Sequence, residues 1–195
     1  MEAAHQLAEA ARTLGYSENH TVIILAKQEY EEANTKKEQC LIIYNDLKEY
    51  WQIKEKEYPT AAYIWSYLKE LGYNNYVAAG ILGNIMTEVG GNTLDIRACA
   101  YGSGFYGMCQ WSKSYSDVWG TSLEEQCDFL RDTIEYELNT YGYAYKKGFN
   151  YASFLELEDC EKTAKAFAKA YERCASSSYK IRQENAITAY NYFVG

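Results

Sequence analysis

Glu88 is a carboxylate placed among apolar neighbours. Across residues 76–89, Val77, Ala78, Ile81, Leu82, Ile85, Met86 and Val89 recur at helical spacing, and Gly90-Gly91 follows as a helix stop. At about 100° per residue, Glu88 falls roughly 20° from Ile81, inside the apolar stripe and in the last turn. Apolar neighbours desolvate a carboxylate there, and the negative end of the helix dipole repels it, so both effects favour the protonated form. A carboxyl group that keeps its proton near neutral pH can serve as a general acid. Position alone fits equally a Glu that swings out from a frayed helix end.

A second carboxylate, Asp95, lies seven residues on, beyond the glycine pair. A chain that folds back there would present Asp95 across a cleft as general base or electrostatic stabiliser. Glycosidic cleavage needs such a pairing: an acid for the leaving oxygen and a means of handling the oxocarbenium-like centre. The alternative for Asp95 is a turn carboxylate that caps its own backbone.

The segment after Asp95 is rich in Gly and Tyr and ends in Tyr106-Gly107-Met108-Cys109-Gln110-Trp111. With Gly83-Asn84-Ile85-Met86-Thr87-Glu88 ahead of it, the order is a helix ending in Glu, a hairpin-like glycine-rich stretch, then Gly-x-x-Gln-aromatic. In this order the chain resembles the lysozyme-like superfamily, and most closely the phage tail-type lysozyme domain, over about residues 61–193. The resemblance implies an all-α fold with, at most, a very small hairpin, and Glu88 as the catalytic acid. It also implies cleavage of the β-1,4 bond between N-acetylmuramic acid and N-acetylglucosamine in peptidoglycan, without cofactor or metal.

On the same resemblance, Gln110, Trp111 and Tyr106 line sugar subsites, with the Trp ring stacking on a pyranose face. Tyr171-Glu172-Arg173 is similar to a late aromatic-Glu-Arg motif, with Cys174 where proline is usual. Tyr171 joins the substrate-binding set, while Glu172 and Arg173 are expected to pair as a structural ion pair behind the site. Lytic transglycosylases of the superfamily need no second carboxylate, because the sugar's own hydroxyl closes a 1,6-anhydro product. The rival from another class is a non-catalytic wall-binding or phage tail structural module. A Glu kept on an apolar face argues for the enzyme, since a binding module would gain from an apolar residue there.

A net charge of −8 argues against a non-specific nucleic-acid binder, which needs a basic face, despite the many aromatics. No apolar run is long enough to span a membrane, and no signal peptide is visible at the N-terminus. A wall-directed enzyme of this kind is expected outside the cell, at the cell wall or on a virion, alone or within a larger phage tail or exported protein. Six cysteines permit a disulfide framework, and their spacing carries no metal signature. Cys160 and Cys174, read as one helix face about 21 Å apart, lie too far from each other to bridge.

The supporting elements are helical. Pro59 divides the chain into a helical N-terminal appendage, 1–58, and a lysozyme-like catalytic domain, 59–195. In the appendage, Leu7, Ala10, Ala11 and Leu14 form one stripe ahead of Gly15, and a longer segment runs from about Asn19 to Trp51, read as broken at Asn34-Thr35-Lys36-Lys37-Glu38. Its apolar stripes are expected to pack on the catalytic domain or on a second copy. In the domain, Thr60 is read as an N-cap for a helix bearing Ile64, Tyr67, Leu68 and Leu71, and Ser122 caps a helix to about Asn139. The last helices are placed at 151–156, 160–173 and 179–193. Gly102 to Gly107 matches G-x-G-x-x-G, but it neither follows a buried strand nor opens a helix, so a dinucleotide site is excluded.

Overall fold

The computed structural model describes residues 6, 21–98, 101–102 and 104–195. The stripe from Leu7 to Leu14 and Cys99 lie outside the described residues. By its internal contacts the chain divides into two units, Met1–Ile53 and Lys54–Gly195.

The first unit is built on α1, Thr21–Glu57, which continues past Ile53. It runs unbroken through the polar stretch at Asn34 to Glu38, where a break was expected. The reason is local: Asn34 donates to Glu38 and the Thr35 hydroxyl to the Glu31 carbonyl, both across one helical turn, so the stretch is a solvated face. Leu41, Ile42, Ile43 and Tyr44 on α1 are exposed.

The second unit is helical apart from one small sheet. α2, Pro59–Glu70, starts two residues earlier than Thr60 as a cap would place it: Pro59 takes the first helical position, where its missing N–H costs nothing, and Tyr58 is the cap. α3, Asn75–Val89, is capped by Asn74 and carries Glu88 in its last turn. Three two-residue strands follow, β1 Tyr101–Gly102, β2 Phe105–Tyr106 and β3 Trp111–Ser112, antiparallel in the order β1-β2-β3. Gly102 and Phe105–Tyr106 pair within this hairpin, as a non-nucleotide reading of the glycine pattern requires.

α4, Leu123–Tyr141, opens with a full capping box between Ser122 and Glu125. α5 is Tyr151–Leu155, α6 Cys160–Ala170 and α7 Tyr179–Phe193. The core is α3 sandwiched by α6 and α7. Its apolar residues, from Val77 to Met86, are almost wholly shielded, and Trp65 stacks on Phe193 at 4.7 Å.

Glycine makes the sandwich tight. A Cβ on Gly83 would come within 2.4 Å of the Ala186 backbone nitrogen, so α3 and α7 touch at main-chain distance. That closeness carries polar groups of the two helices into contact. Cys160 and Cys174 are both free thiols, and Cys174 stands beyond the end of α6 rather than on it.

Candidate active site

Glu88 keeps 20% of its side-chain surface exposed, and its carboxylate accepts a charge-assisted hydrogen bond from Arg182 of α7, which is only 4% exposed. The same guanidinium donates to Asn84 Oδ1 at 2.9 Å and to the Ser178 hydroxyl at 3.2 Å. Asn84 in turn donates to the carbonyls of Gly80 and Ala164, so one buried amide links α3, α6 and α7 behind Glu88. Glu88 thus neither lies bare on an apolar face nor swings free. Its partner is a buried cation.

A notch of about 140 Å³ is lined by Phe105, Gln110, Trp111, Tyr115, Tyr171 and Glu172 among others, and Glu88 is not one of its lining residues. The volume is below the roughly 300 Å³ at which ligand pockets begin, so a long ligand has to run along the open rim rather than sink into it. Trp111, buried, donates its indole N–H to Tyr171 Oη at 3.1 Å, and Thr133 shares that hydroxyl at 2.9 Å. These contacts lock the notch wall. Gln110 sits at φ 48° with its amide on the Gly107 carbonyl at 2.9 Å. Gly107, at φ 82°, lies where a Cβ would meet Gln126 Oε1 at 2.6 Å, which lets Gln126 bond the Met108 N–H and tie the sheet to α4.

Two side chains named from the sequence lie elsewhere. Tyr106 is buried and its hydroxyl donates to the Thr121 carbonyl at 2.8 Å; because side chains alternate along a strand, its neighbour Phe105, 47% exposed, lines the notch instead. Asp95 is exposed between buried Leu94 and Ile96, its backbone N–H bonded to Thr93 Oγ1, and it does not line the notch.

Glu172 and Arg173 do not pair as expected. Arg173 adopts φ 51°, the left-handed turn that ends α6, and the Cys174 N–H reaches back to the Ala168 carbonyl. The turn sends the two side chains apart. Arg173 goes to Glu137, whose other oxygen accepts from Tyr115 at 2.9 Å, so Glu137 has both oxygens engaged. Glu172 lines the notch instead, within electrostatic reach of Glu88, Arg182 and Cys109. Its Oε1 is shielded from solvent and has no hydrogen-bond partner among the described residues. Burial, then the neighbouring Glu88 charge, pushes the Glu172 carboxyl up to about 8, against the opposing pull of Arg182.

A family model described as phage tail lysozyme matches residues 59–193. The chain belongs to the phage tail lysozyme family. No curated protein matches it. Membership accounts for the all-α, lysozyme-like fold, and the family is one of peptidoglycan-degrading, lysozyme-like proteins. It also frames what sequence reasoning missed in this phage tail lysozyme domain: Phe105, Tyr115, Glu137 and Arg182. A signal for Arg182 was present, since it shares a stripe with Ala186, Ala189 and Phe193 on the last helix. A cation in that stripe was the counterpart of Glu88 in its own.

Proposed function

We propose that this domain is a muramidase that hydrolyses the β-1,4 bond between N-acetylmuramic acid and N-acetylglucosamine in bacterial peptidoglycan, with Glu88 as general acid. The observation that carries the reading is the partly exposed Glu88 carboxylate held by the buried Arg182 guanidinium, in a domain whose aromatic-lined notch has Glu172 in its wall. Glu88, the more exposed of the Glu88–Arg182 pair, presents the acid to the glycan. Phe105 supplies an open ring face for a sugar, and the Gln110 amide a polar contact at the rim. Asp95, on the exposed segment after α3, would position the attacking water.

A second reading, the lytic transglycosylase, draws support from the placement of Asp95 away from the notch lining, because that reaction needs no second carboxylate. Incubation of purified cell walls with the full chain, followed by mass spectrometry of the released glycans, separates the two. New reducing ends are the expected result. Exclusively 1,6-anhydro ends would establish the transglycosylase, and undiminished turbidity would leave a wall-binding module.

A further inference from the structure

Leu41, Ile42, Ile43 and Tyr44 form an unbroken apolar run on α1, and each is more than half exposed. Contiguous exposed apolar groups of this kind mark a surface that meets something other than water. The run lies on a repeat. Ala33, Lys37, Cys40, Tyr44, Leu47 and Trp51 follow one another at alternating steps of four and three residues, and the alternation extends back to Ile23, four heptads in all. These are the a and d positions of a coiled-coil seam, with Lys37 and Tyr44 at a and Cys40 at d. In that register Leu41 and Ile43 take the flanking e and g positions, which are commonly charged, so the seam is widest and most apolar at the run. Ile42 alone of the four stands off it.

The charge in the seam decides what can cover it. In a parallel pair of these helices each seam residue meets its own counterpart, which would set Lys37 against Lys37, and like charges brought together at an interface are costly. An antiparallel pair sets a against d instead. With the run laid against itself, Lys37 lies opposite position 47 of the second copy, a leucine, and the small Cys40 lies opposite the large Tyr44. Leu41 then meets Leu41 and Ile43 meets Ile43 across the twofold axis, and Lys48 on the flank comes level with Asn34 rather than with another charge. We propose that this face of α1 docks a second copy of the chain, as an antiparallel two-stranded coiled coil whose twofold axis passes level with Ile42. The contact is isologous, so it closes at two chains.

Sedimentation equilibrium of the full chain tests the association. The expected result is a reversible dimer. Combining Leu41→Glu with Ile43→Glu puts four carboxylates at the twofold axis and should raise the dissociation constant by ~10²-fold or more. Both side chains are exposed, so each chain should keep its fold. A wild type that is monomeric at every concentration, one that forms trimers, or a double variant that dimerises as the wild type does would each overturn the proposal. A monomeric wild type that the double variant destabilises would overturn it as well, by showing that the run is covered from within the same chain.

Disulfide trapping reads the orientation, because Cys40 is an exposed free thiol. The antiparallel register sets the two Cys40 residues about 6 Å apart along the helix axes in addition to the spacing between the helices, past the roughly 7 Å Cα limit for a bridge. Mild oxidation of the wild type should therefore give no dimer linked through Cys40. In Tyr44→Cys the new thiol stands opposite Cys40 of the second copy, and a disulfide dimer should form that adding Cys40→Ser abolishes. A wild-type dimer linked through Cys40 would set the helices parallel and overturn the proposal. So would a Tyr44→Cys protein that dimerises in solution and never crosslinks.

Discussion

Arg182 and Glu88, 94 residues apart in the chain, meet as an ion pair whose cation is 4% exposed and whose carboxylate reaches solvent. The asymmetry fixes what each residue does. The buried partner sets the geometry, and in the proposed function the more exposed partner faces the substrate.

Replacing Arg182 with Met leaves the Glu88 carboxylate and Asn84 Oδ1 without the donor that joins them. Breaking a buried pair from one side is expected to cost on the order of 3 kcal/mol. Arg182→Lys should recover only part of this, since a single ammonium cannot reproduce a planar fork that spans Asn84 and Glu88. Thermal denaturation of the two variants checks both statements, and a Met variant as stable as the wild type would show the pair to be incidental.

Glu172 also predicts how stability depends on pH. Its carboxyl is raised in the fold from an ordinary 4.5 to about 8. Between those values the native state keeps a proton that the unfolded chain has released, so wild-type stability should decline as pH rises through the window. Glu172→Gln has no such proton to lose. Melting curves from pH 5 to 9 should therefore show the Gln variant gaining on the wild type as pH increases; parallel curves would mean that Glu172 titrates normally.

Much of this was legible in the sequence, and the failures have physical causes. The helix bearing Glu88, the Ser122 cap and the final helix were readable because apolar spacing and capping chemistry act within a few residues. The break expected at Asn34 to Glu38 was wrong because these polar side chains bond within the helix, Asn34 to Glu38 and Thr35 to the carbonyl one turn back, which leaves the helix intact. Tyr106 and Phe105 were exchanged because a two-residue strand is too short for its register to be read from alternation. The Glu172 and Arg173 pair was misjudged because the left-handed turn at Arg173 is a decision of the fold, made where glycine would normally announce it. Arg182 was legible in principle. Its meaning depended on which helix lay opposite.

Asp95 yields a test of the hydrolytic half of the proposal. It is exposed, and its backbone N–H, which the substitution keeps, bonds the Thr93 hydroxyl, so Asp95→Asn should fold and melt like the wild type. If Asp95 directs the water, hydrolysis should nonetheless fall by ~10²-fold or more, as for loss of a general base. Unchanged release of reducing ends by the Asn variant would return Asp95 to the role of a turn residue.

Glu88→Gln, assayed by the clearing of purified cell walls at neutral pH, addresses the central claim directly. An apolar setting alone would leave the melting temperature of this variant unchanged or raised. The buried Arg182 changes that expectation: the amide oxygen still accepts its hydrogen bond, but a charge-assisted bond becomes a neutral one, at a cost of about 1–2 kcal/mol, and the protein should remain folded. Without a proton for the leaving oxygen, clearing should slow by ~10²-fold to 10⁴-fold. A folded Glu88→Gln protein that clears walls at the wild-type rate would contradict the account and make Glu172 the carboxyl to test next.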